Sequence, residues 1–212
     1  MKIQILVDNP NSWIVPYSKQ LIEKIQNQFE IKPKLLFSQE EIVKGEILCL
    51  LGCETIFKDL HLNKYNLVVH ESDLPKGKGW SPLTWQVLEG KNQIPITLFE
   101  ATESVDAGKI YASEYIKLNG SELLEEIKHQ QGLKTIDLIL NFIKNKRKIK
   151  GKTQKGESTF YSKRGPNDSE LDINKTINEQ FNLLRVVDND RYPAYFKKNG
   201  AKYIIKIFKD EE

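Results

Sequence analysis

The amino-acid sequence predicts an α/β fold, a doubly wound and mostly parallel sheet followed by a small C-terminal helix and β-hairpin. Three observations predict it. Short β-like runs alternate with helix-like segments through the first hundred residues, the order that builds parallel sheets. The runs at 46–51 and 66–70 are nearly continuous in Leu, Val and Ile, as strands buried on both faces are. Near the C-terminus, Asn199-Gly200 separates two extended runs, a strong hairpin signal because both residues tolerate positive φ.

Taken in order, residues 2–7 read as a first strand ending in the polar loop Asp8-Asn9-Pro10-Asn11-Ser12. A helix follows, with Ile14, Leu21, Ile22, Ile25 and Phe29 on one face. Residues 31–37 resemble a second strand, where Pro33 implies an edge position or a late start. After the two core strands, Pro75, Gly77 and Gly79 break the pattern, and 82–89 reads as a helix closed by Gly90. Extended segments at 95–101 and 109–118 come next. Ser121 is a candidate N-cap for a long helix to about Lys144, with Leu124, Ile127, Ile136, Leu140 and Ile143 inside. The segment 144–155 loses apolar residues and gains lysines, so 1–145 is expected to be one domain, 146–160 a linker and 161–212 a small subdomain. Within that subdomain, Ser169-Glu170-Leu171-Asp172 would cap a helix carrying Ile173, Ile177, Phe181 and Leu184, and 195–208 would form the hairpin.

Composition narrows the class of function. The 212 residues carry 32 basic and 29 acidic side chains, a net charge of +3. Seven of the basic residues (Lys144, Lys146, Arg147, Lys148, Lys150, Lys152 and Lys155) fall in one acid-free segment, and without them 25 basic face 29 acidic residues. Only Arg147, Arg164, Arg185 and Arg191 are arginine, whereas phosphate and base-edge recognition favours the guanidinium fork. Nucleic acid is therefore disfavoured as the main partner, and the lysine run reads as a solvated linker. Cys49 and Cys53 read as small buried hydrophobes on one strand rather than a zinc or redox pair. No apolar run of membrane-spanning length occurs. With a first strand at the N-terminus in place of a signal peptide, a cytoplasmic location is expected.

The chemically suggestive stretch is Val69-His70-Glu71-Ser72-Asp73-Leu74-Pro75-Lys76-Gly77-Lys78-Gly79-Trp80-Ser81-Pro82. His70 stands at the carboxyl end of a core strand, where open α/β sheets bind ligands. An imidazole there can act as general base or polarise a carbonyl, or it can be a hydrogen-bonded structural histidine. Asp106, in Val105-Asp106-Ala107-Gly108, lies in a turn between two extended segments. It can orient an imidazole or simply form the turn. The two meet only if both loops top the same sheet.

His70-Glu71-Ser72-Asp73-Leu74-Pro75, then Gly79 and Pro82, then Thr97-Leu98-Phe99 and Val105-Asp106-Ala107-Gly108-Lys109-Ile110 resemble the N10-formyltetrahydrofolate-dependent formyltransferases. Their pattern is roughly Asn-x-His-x-Ser-x-Leu-Pro, a Gly and a Pro, Thr-(Leu/Val)-(His/Phe) and Asp-Ala-Gly-x-Ile. The strong resemblance spans about residues 46–118 in order and with ungapped local spacing. The β/α pattern of 1–145 fits the family's Rossmann-like catalytic domain, and 160–212 looks like the short C-terminal segment of bacterial sugar N-formyltransferases. The resemblance implies direct formyl transfer from N10-formyltetrahydrofolate to an amine, without metal or covalent intermediate. Its histidine falls on His70 and its aspartate on Asp106. His70 would stabilise the oxyanion, and Asp106 would orient His70 and help remove the amine proton. The family's asparagine falls on Val68, which has no donor. Another group, such as a backbone N–H or protonated His70, then supplies the bond, or activity is altered.

The resemblance places the pterin near Leu51, Gly52, Cys53, Thr102 and Val105. For the second substrate the candidates are Asn9 and Trp13, in a loop suited to a diphosphate or to ordinary helix capping, and Lys76, Lys78 and Trp80 beside the active-site loop. Methionyl-tRNA formyltransferases carry a larger C-terminal domain. Glycinamide ribonucleotide formyltransferases have a phosphate loop that 8–13 matches only in part. The expected acceptor is therefore a nucleotide-linked 4-amino-4,6-dideoxy sugar, most like the UDP-linked substrate of pseudaminic-acid-type enzymes. The alternatives are glycinamide ribonucleotide, methionyl-tRNA, or a non-catalytic folate- or nucleotide-binding relative. The resemblance also suggests a homodimer.

Overall fold

A computed structural model describes residues 1–210. Six strands form the central sheet: β1 (Ile3–Leu6), β2 (Lys34–Leu36), β3 (Gly45–Leu50), β4 (Asn63–His70), β6 (Gln93–Glu100) and β7 (Ile110–Lys117). A two-residue strand, β5 (Lys78–Gly79), lies outside it. The sheet order is β2-β1-β3-β4-β6-β7. The first four strands are parallel; β6 runs antiparallel to β4, and β7 runs antiparallel to β6 and so in the direction of the first four. This is the expected mostly parallel α/β sheet. β2 is the edge strand and starts after Pro33, which has no N–H to give a ladder.

Helix α1 (Val15–Phe29) and helix α3 (Leu124–Asn145) cover one face, with the shorter α2 (Pro82–Leu88) between them in sequence. Ile3, Ile5, Ile47, Cys49, Leu67, Ile96 and Leu98 point into the layer they share with Leu21, Ile25, Ile136, Ile139 and Phe142. Each fully buried side chain of this size contributes roughly 1.5–3 kcal/mol. The opposite face packs Leu6, Leu36, Leu48 and Leu50 against Ile42 and Phe57. Cys49 is buried on β3 as expected, but Cys53 lies beyond the strand, half-buried with its Sγ on the Leu6 carbonyl; burial pushes both thiols up to about 12.

Two helix starts differ from expectation. Ser121 does not cap α3. Its hydroxyl bonds the Asn119 side chain, and the helix begins after Leu123, whose N–H is taken by Glu126 Oε2 at 2.7 Å. The last helix, α4 (Ile177–Val186), starts later than Ser169 suggests, because Thr176 and Glu179 cap it reciprocally. Ile173 falls outside the helix and, like Ile177, is exposed. The hairpin β9 (Ala194–Lys198) and β10 (Ala201–Ile205) turns at Asn199-Gly200, both with positive φ.

The segment 146–160 is not a free linker. Lys146 Nζ reaches Glu46 at 3.2 Å. Lys152 exchanges two backbone hydrogen bonds with Ile110 at the start of β7. Tyr161, in β8 (Phe160–Tyr161), lies beside β5. Nor is the C-terminal piece detached. Val186 joins the main core, and Arg185, 1% exposed, donates to the Glu122 carbonyl and carboxylate. The lysines mark low hydrophobicity, and backbone pairing together with Ile149, packed against the main core, holds the segment in place. Among the described residues no helix is long and apolar enough to cross a membrane.

Candidate active site

His70 ends β4 and Asp106 lies in the loop between β6 and β7. Because β6 runs antiparallel to β4, with Glu100 opposite Leu67, this loop leaves the sheet three residues short of His70. It then folds back along the sheet. Gly108 closes the return. A Cβ there would collide with the Glu100 carbonyl, so only glycine lets the chain pass. Asp106 takes φ +50° in the same turn. Beneath the loop, Glu100 accepts from the Asn66 N–H at 2.7 Å and from Tyr111 Oη at 2.7 Å, and burial pushes its carboxyl up.

The fold thus brings His70 and Asp106 together, Nε2 to Oδ2 at 3.7 Å, both side chains nearly buried. That is longer than a hydrogen bond. His70 Nε2 donates instead to the Gly77 carbonyl at 2.9 Å, a group that can only accept. Asp106 Oδ2 accepts the Gly79 N–H at 2.9 Å. The two side chains approach closely, and each is tied to the 71–82 loop.

Both loops are held from the segment that the lysines disguised. Gln154 donates from Nε2 to the Asp106 and Gly108 carbonyls, each at 2.9 Å. Thr159 Oγ1 accepts the Gly77 N–H at 2.8 Å, and the Thr159 and Tyr161 carbonyls take the Lys78 and Trp80 N–H groups. Gly79 lies so close to the Tyr161 carbonyl that a Cβ would stand 2.5 Å from its oxygen.

A cavity of about 630 Å³ opens at this point, within the range of small-molecule sites. Leu51, Gly52, Cys53, Thr102, Val105, Trp13 and Trp80 line it with His70 and Asp106. Asn9, Lys76 and Lys78 do not. The Asn9 side chain accepts the Asn11 N–H and closes its own turn. Lys76 is exposed to solvent. Lys78 is buried, with Nζ 5.9 Å from the centre of the Phe160 ring. Val68 also lines the cavity, between Leu50 and Phe99 in the sheet, so the wall where a donor was expected is apolar. Asn66 does not replace it, since its amide is spent on the Leu60 carbonyl.

Sequence reasoning missed Gln154, Thr159 and Glu71. For the first two the sequence holds no signal, because their role lies in contacts 46 to 82 residues away. Glu71 stood beside His70 in plain view. It lines the cavity, and burial pushes its carboxyl up, partly offset by His70 and the Gln131 amide.

No family model matches the chain. Several solved structures match its whole length. Methionyl-tRNA formyltransferase from Clostridium thermocellum aligns with a TM-score of 0.82 and 19% identity, over 100% of this chain and 94% of that one. A sugar N-formyltransferase from a Shewanella species aligns at 0.70 and 17%, over 100% and 99%. HypX from Aquifex aeolicus, in complex with tetrahydrofolic acid, aligns at 0.78 and 18%, over 98% of this chain and 37% of that one. The chain shares the fold of these formyltransferases.

Proposed function

We propose that this protein transfers a formyl group from N10-formyltetrahydrofolate to the amino group of a nucleotide-linked 4-amino-4,6-dideoxy sugar, UDP-linked and of the pseudaminic-acid type. The observation that carries the reading is the meeting of His70 and Asp106 in one cavity of suitable size, within a fold shared with formyltransferases.

The cavity fits a folate. Leu51, Phe57, Val68, Phe99 and Ala101 give apolar walls for a planar ring, and Gly52 brings bare main chain to the surface. HypX, seen with tetrahydrofolic acid, shares this fold. When bound, the co-substrate supplies an electrophilic formyl carbon on N10, and the bond to N10 breaks as N10 regains a proton. The chain's residues must hold the amine in line with that carbon and stabilise the oxygen that gains charge, a term worth several kcal/mol. His70 is the donor for it. Its Nε2–H is held by the Gly77 carbonyl at 2.9 Å, and exchanging that carbonyl for the developing oxyanion keeps His70 hydrogen-bonded. Asp106 steadies the imidazole and balances its charge.

Shortness does not separate the acceptor classes, because the tRNA formyltransferase from Clostridium thermocellum is matched over 94% of its chain. Charge does. Of the four arginines, Arg185 is buried against Glu122 and Arg164 lies over the Trp85 ring, which leaves little for a phosphate-rich surface. The test is turnover of N10-formyltetrahydrofolate with a panel of nucleotide amino sugars, glycinamide ribonucleotide and methionyl-tRNA. A 4-amino sugar nucleotide is the expected acceptor, and His70→Ala should abolish its formylation. Turnover with either other acceptor alone refutes the substrate class. Folate binding without turnover supports a non-catalytic relative.

A further inference from the structure

The cavity has two halves. Residues 53–57 and 101–106 border one, which the folate reading occupies. Trp13, Ile14, Leu83, Leu124, Lys128 and Gln131 border the other. Strand alternation explains which half Glu71 serves. Leu67 and Val69 on β4 face α1 and α3, whereas Val68 faces away with Leu48 and Leu50. Glu71 continues the first set and meets Gln131 of α3.

The ionisable neighbours Lys128, His70 and Asp106 are already engaged. Lys128 pairs with Glu125 at 2.8 Å. His70 Nε2–H and Asp106 Oδ2 are tied to Gly77 and Gly79. Among the described residues Glu71 takes part in no salt bridge. A half-buried carboxylate that lines a cavity and has no cationic partner is open to a cation that a ligand supplies.

We propose that Glu71 binds the ammonium group of the amine acceptor and takes its proton, a step that rests on the formyl-transfer reading above. An N–H bond of the ammonium breaks, the proton moves to a Glu71 oxygen, and the electron pair stays on nitrogen as the attacking lone pair. A half-buried carboxylate of raised basicity suits that transfer. The formamide product is neutral and no longer pairs with a carboxylate, so the same contact favours exchange of product for the next amine. Glu71 returns its proton to water between turnovers.

The experiment compares wild type with Glu71→Gln by calorimetric titration and steady-state kinetics. The probes are a UDP-4-amino-4,6-dideoxy hexose, its 4-hydroxy counterpart and tetrahydrofolate. Glu71→Gln should weaken the amino sugar at least tenfold and leave the hydroxy analogue and tetrahydrofolate within twofold. Wild type alone should prefer the amino over the hydroxy sugar by a similar factor, which keeps the test open if the variant does not fold. Equal wild-type affinity for the two sugars, or a Glu71→Gln loss shared by all three ligands or by none, overturns the role of Glu71 and leaves formyl transfer standing. Absence of turnover with every primary amine overturns both.

Discussion

Replacing Gln154 with leucine keeps the bulk of the side chain and removes two hydrogen bonds, those to the Asp106 and Gly108 carbonyls at 2.9 Å. Each such bond contributes about 0.5–1.5 kcal/mol net, so the loop loses about 1–3 kcal/mol of restraint. Asp106 sits in this loop at a positive φ, and its carboxylate reaches His70 only at 3.7 Å. If the restraint acts mainly on the loop, the competent population falls by about five- to 150-fold, since ~1.4 kcal/mol is a factor of ten. We therefore expect kcat for formyl transfer to fall about ten- to a hundredfold in Gln154→Leu. KM for either substrate should change less than threefold, and the melting temperature should drop by only about 2–12 °C, scaling from 2–4 °C per kcal/mol at this size. Steady-state kinetics and thermal denaturation measure both. An unchanged kcat with a lowered melting temperature would refute a positioning role and leave Gln154 as ordinary packing.

Two further outcomes follow from close contacts. Gly108→Ala places a methyl against the Glu100 carbonyl. The resulting backbone shift should cost about 1–3 kcal/mol of stability and should depress kcat as strongly as Gln154→Leu, which denaturant titration and kinetics will show. Burial of Glu122 works against its charge, but the Asn119 and Gly120 N–H groups and Arg185 outweigh it and hold its carboxyl below the ordinary 4.5. A lowered folded-state value stabilises above the unfolded value and is lost as pH falls. Acidification from about pH 4.5 should thus destabilise wild type more steeply than Glu122→Gln, read from melting temperatures across pH. At neutral pH the variant should be less stable, because it leaves Arg185 buried without a counter-charge.

Much of this molecule was legible in local pattern. The parallel strands were readable from unbroken apolar runs, and the hairpin from Asn199-Gly200. Both are signals that act within a few residues, through burial of a strand and the φ a turn demands. The His70 and Asp106 loops were readable because glycine, proline and turn chemistry must recur wherever backbone passes closely, as Gly108 does over Glu100. Helix starts were less legible. Ser121 and Thr176 are both good capping residues, and only the local geometry decides which hydroxyl meets an open N–H.

What the sequence alone determined is therefore the set of elements, their order, and the residues whose chemistry could act. The tertiary structure decided which of them meet. His70 and Asp106 are 36 positions apart, and they approach because the β6–β7 loop folds back over an antiparallel strand. Asn9, Lys76 and Lys78 have suitable chemistry but lie outside the cavity. The lysine-rich segment carries the contrary lesson. Its charge described its solvent-facing side chains truly and said nothing of its backbone. Gln154 and Thr159 bind both loops through hydrogen bonds, short-range interactions that depend on position in space and leave no periodicity for a reader of sequence to find.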